Sequence, residues 1–396
     1  MVIMVAFSAC ETHSKPLIAD VEEGASKAAR YLSAVVMADG KFKYQINSNP
    51  EALIFPSYNM LRHAGAIHAM IQYYQRNPDD KLKESILRAG RFLKTETLDS
   101  VEKEPGLMTI WSEPSITKSK NPRESKLGGT GLGLVALTGI EKIQPGFTPI
   151  EDLRALGRFI LFMQNEDGSF VSKYSPEKGG KTDTWKSLFY PGEATLGLIN
   201  LYQIDPNPIW IESAIRSLEY LSEKRKNTID FPVDHWALIA TAELLNLNDI
   251  EQFHFSRELI IYHSLQITEK ILSEQLTKNV EKNMRGAFTA NWATTPTATR
   301  LEGLTAVLAF LPDTSGMYTK ILTSCELGIN YLLHAQVTSG NYIGAFTHNI
   351  EVYKDKSEGR KKQWGNTDIR IDYVQHALSA LIQYLNIAES NSGEES

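Results

Sequence analysis

Apolar residues recur every three or four positions in one segment of this chain after another, the spacing of a single helical face. Such segments cover residues 20–37, 59–74, 80–95, 128–140, 149–164, 190–202, 208–224, 234–247, 255–276, 297–311, 317–336 and 372–387. Two kinds alternate. The first is amphipathic throughout: in 20–37, Ala25, Ala28, Ala29, Leu32, Val35 and Val36 form the apolar stripe. The second opens polar and then turns apolar with small residues spread along it. Residues 370–385 show this most clearly, with Asp372 and His376 four apart on one face. The pattern predicts twelve helices in six hairpins, an outer helix followed by an inner one, with the six inner helices forming one ring. No strand-like alternation competes with it.

The connections give the ring a direction. Outer-to-inner links are long, such as 98–127, 165–189 and 337–371, whereas inner-to-outer links such as 75–79, 203–207 and 312–316 are short. Long links in a compact domain are usually functional, so the mouth is expected where the inner helices begin. Free N–H groups and positive dipole ends gather there, favouring anionic or hydroxyl-rich ligands. A weak repeat marks the outer-helix ends: Tyr31 before Asp39-Gly-Lys-Phe42, Phe159 before Asp167-Gly-Ser-Phe170, and Tyr331 before Ser339-Gly-Asn-Tyr342. In each, a glycine stops the helix and an aromatic can fold back onto it.

Gln164-Asn-Glu-Asp-Gly-Ser-Phe170 resembles the Gln-x-x-Asp-Gly-Ser-aromatic repeat of the α/α toroids, the superfamily that holds terpenoid cyclases. Six hairpins in a ring also resemble the six-hairpin glycosidases and the related uronate lyases and sugar epimerases. The resemblance covers about residues 18–387 and implies an all-α (α/α)6 toroid; it is specific for architecture and not for reaction. Squalene-type cyclisation would need an Asp-rich motif, and the lanthionine cyclases and protein prenyltransferases of this superfamily would need zinc-binding cysteines. The sequence offers neither.

Aligning the inner helices on a small residue near their starts brings ionisable groups to one level. His63 precedes Ala64, Glu193 precedes Ala194, Glu302 precedes Gly303, His376 precedes Ala377, and Asp234-His-Trp236 precedes Ala237. Asn59, Arg62, Arg300, Arg370 and Asp372 lie close by in sequence. Buried ionisable groups are costly unless paired, which a purely structural ring would avoid. Glu193, Asp234, Glu302 and Asp372 are therefore candidate catalytic carboxylates, able to supply the acid and base of glycoside hydrolysis. Asn59, Arg62, His63, His235, Trp236, Arg300, Arg370 and His376 are candidates for binding substrate or carrying protons. With a tyrosine such as Tyr58, Tyr190 or Tyr373, the histidines and arginines would suit a uronate lyase or epimerase instead. Trp185, Trp236, Trp292 and Trp364 are expected at the mouth as platforms for sugar rings. The competing reading makes the same acids helix caps and ring-closing pairs. Gly129-Thr-Gly-Leu-Gly133 lacks the full phosphate-loop spacing and a preceding strand, so close helix packing accounts for it better.

Composition narrows the rest. A net charge of −6 without a long basic tract gives no reason to expect nucleic acid. Two cysteines exclude a disulfide framework and a cysteine-based zinc site; Cys325 reads as a small buried apolar residue. No cofactor and no metal is expected, the ligand being a small molecule or oligosaccharide. Cys10 ends an apolar run at residues 2–9 that resembles a bacterial lipoprotein signal, although no Lys or Arg precedes the run. That implies residues 1–17 as signal and tether, export, and membrane attachment only through a lipid on Cys10. Residues 388–396 read as a polar, acidic and disordered tail. The sequence thus supports a carbohydrate-active enzyme, with hydrolysis ahead of elimination or epimerisation. The alternative is a non-catalytic envelope lipoprotein holding a glycan or peptide.

Overall fold

In the computed structural model, which describes residues 15–48, 52–55, 57–182, 184–228, 233–278, 280–350 and 367–393, the helices alternate between an outer and an inner ring. The hairpins pair α1 (Ile18–Ala34) with α2 (Met60–Arg76), and α3 (Asp80–Thr97) with α5 (Leu127–Ile143), the one-turn α4 (Pro114–Thr117) lying between the latter. They continue with α6 (Ile150–Met163) and α7 (Tyr190–Tyr202), then α8 (Pro208–Arg225) and α9 (His235–Leu245). The last two are α10 (Arg257–Glu274) with α11 (Thr294–Leu308), and α12 (Gly316–Ala335) with α13 (Ile371–Gly393). Each inner helix packs on its two inner neighbours, and α13 closes the ring against α2. The inner helices are buried almost all round, as a helix between two layers must be. The lipoprotein expectation at Cys10 and the aromatic platform at Trp364 lie outside the described residues.

All seven strands among the described residues fall in outer-to-inner links, on the mouth side. β1 (Gln45–Asn47) pairs antiparallel with β7 (Asp368–Arg370), joining the first and last hairpins. β2 (Leu98–Ser100), β3 (Met108–Ser112), β4 (Glu124–Lys126), β5 (Lys173–Ser175) and β6 (Gly180–Thr182) form one antiparallel sheet in that order. Strands of three to five residues are too short to leave an alternating pattern, so the periodicity showed only helices.

The glycine-rich start of α5 is a packing device. A Cβ on Gly197 of α7 would come 2.8 Å from the Gly131 carbonyl oxygen, and one on Gly131 would come 2.5 Å from the Glu193 carbonyl oxygen. The two backbones can approach this closely only without side chains.

The outer-ring repeat has a structural cause, which also corrects its third member. Gly40, Gly168, Gly286 and Gly344 all have positive φ, and each lies against a backbone carbonyl of the next outer helix round the ring: Arg88, Arg216, Leu327 and Lys27. The partner of Phe42 and Phe170 is therefore Phe346, which bridges to Gln336 as Phe170 does to Gln164. Ser339-Gly-Asn-Tyr342 is an insertion before it, and Gly340 meets nothing. A glutamine clamps three of these joints. Gln164, Gln275 and Gln336 each donate from Nε2 to a carbonyl of the neighbouring outer helix (Ser213, Ser324 and Gly24) and to one of their own turn (Gly168, Gly286 and Gly344). The Gln336 clamp ties α12 to α1 and closes the outer ring. Gly344→Ala is expected to lower stability by well over about 1 kcal/mol, because the turn needs φ near +88° and the new methyl would overlap the Lys27 carbonyl. Chemical denaturation would measure it.

Candidate functional site

Where the inner helices begin, three side chains from three helices converge. His376 Nδ1 lies 2.7 Å from Glu302 Oε2, joining α13 to α11. The His235 ring, from the first turn of α9, stands edge-on to His376 with centroids 5.7 Å apart. One ligand atom from each of the three falls within 4.8 Å of the others. His235 and Glu302 are buried, and His235 Nε2 has no hydrogen-bond partner among the described residues. Trp236 and Phe189 flank the His235 ring at 5.0 and 5.2 Å.

The two histidines are pushed to opposite protonation states. Burial, then the positive charges of His376 and Arg300, holds His235 well below its ordinary value, so it is neutral at physiological pH. Burial alone would lower His376 as well, but the Glu302 carboxylate and Asp372 outweigh it and raise its pKa. A neutral imidazole thus faces one biased toward imidazolium. The three side chains could also gather round a metal ion. In the structure His376 Nδ1 and Glu302 Oε2 face each other directly. At 2.7 Å they form a proton-bridged pair.

Beside the cluster, Asp372 is clamped by two arginines. Arg370 donates to it at 2.5 and 2.9 Å, and Arg62 Nε at 3.0 Å. Burial would raise the Asp372 carboxyl, yet the two guanidinium groups hold it below its ordinary value. Arg62 also donates to the Tyr44 hydroxyl at 2.5 Å, and the Arg370 guanidinium stacks over Tyr373 at 4.6 Å. Lys126, the residue before α5, pairs loosely with Glu124 at 3.7 Å; its ammonium is held low by burial and, more weakly, by Lys173 and Arg62.

Glu193 is a different kind of acid. It is buried in the first turn of α7, in space that only a glycine at position 128 leaves open, and its Oε2 has no partner among the described residues. Burial, with the nearby Asp234 charge, raises its pKa to about 8. At neutral pH it is a protonated carboxyl.

Other predicted site residues turn away from the axis. Asp234 caps α9 through Ala237 N–H at 3.1 Å and pairs with Arg225 of the outer ring at 3.0 Å, so both its oxygens are engaged. His63 is fully buried among Phe42, Tyr58 and Phe92; Tyr58 Oη lies 2.7 Å from its Nδ1, and its Nε2 donates to the Ala89 carbonyl at 3.0 Å. It is a strut between the rings, held neutral by burial. Arg300 reaches outward to Glu274 of α10, at 2.7 and 3.0 Å. Asn59 caps α2 by accepting from Leu61 N–H at 2.9 Å. Among the expected platforms, Trp185 is 49% exposed and stacks edge-on with Tyr190 at 5.5 Å, whereas Trp236 is buried against the histidines. Sequence reasoning missed Tyr44, Lys126 and Phe189. Lys126 directly precedes an inner helix and was within reach of the alignment; Tyr44 and Phe189 sit in links without periodic signal.

Comparison with known proteins places the fold. No family model and no curated protein sequence matches the chain. Solved structures do. A D-mannose isomerase superposes with a TM-score of 0.65 at 10% identity, over 94% of this chain and 100% of that one. The cellobiose 2-epimerase of Bacillus thermoamylovorans B4167 gives 0.65 at 11%, over 94% and 100%. An inactive variant of the α-1,6-mannanase of Salegentibacter sp. HEL1_6, bound to α-1,6-mannotetrose, gives 0.62 at 11%, over 93% and 99%. At such identities the likeness speaks for the backbone alone. Together with the closed double ring of helices, it shows that the chain has the (α/α)6 toroid fold.

Proposed function

We propose that the chain is a carbohydrate-active enzyme that moves a proton at the carbon next to a sugar carbonyl, as an epimerase or aldose–ketose isomerase does. The observation that carries this reading is the pair His235 and His376, biased to opposite protonation states with a ring nitrogen of each less than 5 Å from the other. Neighbouring groups driven apart in this way mark acid and base roles. The unpartnered His235 Nε2 takes the proton from carbon and leaves an enediolate. His376, charged against Glu302, returns a proton to the carbonyl oxygen or to the opposite face of the carbon. Arg62 and Arg370 stand at the rim with Asp372 between them, where their charge favours the developing oxyanion. Isomerase and epimerase structures among the toroids of similar shape agree with this choice.

Glycoside hydrolysis has one observation of its own, the protonated Glu193, and a mannanase shares the fold. Its partner base is harder to supply, since Asp234 is capped and paired and Asp372 is clamped by two arginines. Export and lipidation at Cys10 stay a separate proposal, tested by the mass of the mature N-terminus in cells.

Incubating the protein with D-mannose, D-glucose and cellobiose in D2O tests the main reading. Deuterium should enter at C2 of at least one sugar, followed by proton NMR, and His235→Asn should abolish it. Release of new reducing ends from α-mannan, without exchange in any sugar, would decide for hydrolysis.

A further inference from the structure

The ring has a cavity at the end opposite the mouth. About 310 Å3 in volume, it lies between the C-terminal halves of all six inner helices. Thr305 and Ile239 line it, one turn beyond Glu302 and His235. It therefore begins about 5 Å below the histidine cluster but includes none of its residues.

Its walls have a distinct chemistry. Seven carboxamides line it: Gln72, Gln75, Asn200, Gln203, Asn246, Gln383 and Asn386. Three are held by their oxygens alone: Ser379 Oγ donates to Gln72 Oε1 and Thr305 Oγ1 to Gln383 Oε1, both at 2.7 Å, and Arg76 to Asn386 Oδ1 at 3.3 Å. Their NH2 groups remain to donate to an occupant. Lys142 and Glu243 are the only formal charges on the wall, and Gln203 bridges them, accepting from Lys142 Nζ at 2.6 Å and donating to Glu243 at 3.5 Å. His68 of α2 lines the cavity without a hydrogen-bond partner among the described residues, and burial holds its pKa to about 4. A neutral imidazole offers one donor and one acceptor.

We propose that this cavity is a second binding site, for a small uncharged polyhydroxy compound such as a polyol or monosaccharide. Carboxamides and a neutral imidazole pair with hydroxyl groups and leave no charge unmatched. Carbonyl ends of six helices converge here, so anions favoured at the mouth are disfavoured at this end. The volume lies at the lower end of the roughly 300–1,000 Å3 typical of small-molecule sites. The inference does not depend on the reaction at the mouth.

Sorbitol, which has no carbonyl carbon to react, is the probe. Titrating the full chain with sorbitol by calorimetry should show saturable binding that His376→Asn leaves unchanged. His68→Leu and Gln72→Leu should each weaken it by about tenfold, the worth of one good hydrogen bond, with catalytic turnover and melting temperature retained. Glucuronate should not compete. Absence of saturable binding would overturn the proposal, as would binding lost with His376→Asn or unaltered in both cavity variants. Should His68→Leu fail to fold, Gln72→Leu decides the matter by itself.

Discussion

Replacing Glu302 by Gln is expected to cut turnover about a hundredfold or more at pH 8 while leaving the fold intact. Loss of a positioned proton carrier typically costs ~10²–10⁴ in rate. The amide keeps a hydrogen-bonding group beside His376 but removes the carboxylate that offsets burial. Desolvation then prevails, and the His376 pKa drops from above its ordinary 6.5 to below it. The wild-type rate should fall on the alkaline side as His376 loses its proton. In Glu302→Gln that fall moves to lower pH, so activity partly returns on acidification. His376→Asn should be inactive throughout. The pH profile separates this role from a structural one: a variant that is merely loosened loses rate without moving the limb. An unmoved limb with full activity would remove the acid role from His376. The same pair bears on folding. Because the folded pKa is raised, its contribution is complete below pH 6.5 and is lost as pH climbs through the folded value.

Glu193→Gln should make the protein more stable at pH 8, with no gain at pH 4. A carboxyl at about 8 in the folded chain and 4.5 when unfolded keeps its proton longer in the folded state. The unfolded state therefore binds fewer protons over that window, and stability declines as pH rises through it. The slope approaches about 1.4 kcal/mol per pH unit. The neutral amide escapes this penalty, for a gain on the order of a few kcal/mol at the alkaline end. Thermal melts of both proteins at pH 4, 6 and 8 measure it. Parallel curves at all three would mean that Glu193 is ionised and paired in solution. The same variant informs the chemistry, since a hydrolase that used Glu193 as its acid would lose turnover with the substitution.

The apolar periodicity alone determined the six hairpins, the order of outer and inner helices, and the end at which the long links lie. These follow from spacing along one helix and from link length, both local properties. Aligning the inner helices on a small residue near their starts brought Glu302 and His376 forward, and Asp372 shares a face with His376 four residues on. What neither could determine is how each helix is turned about its own axis. Successive residues lie about 100° apart round a helix, so a choice between neighbours is a choice of direction. On α2, Arg62 meets Asp372 at the mouth and His63 is thereby turned into the aromatic cage beneath the outer ring. On α11, Glu302 faces His376, and Arg300, two residues earlier, is carried round to Glu274 on α10. Before α9, Asp234 is taken by the backbone it caps and by Arg225, which leaves His235 as the inward group. Those rotations are set by packing between helices far apart in the chain, so only the assembled ring could decide which polar groups meet on its axis.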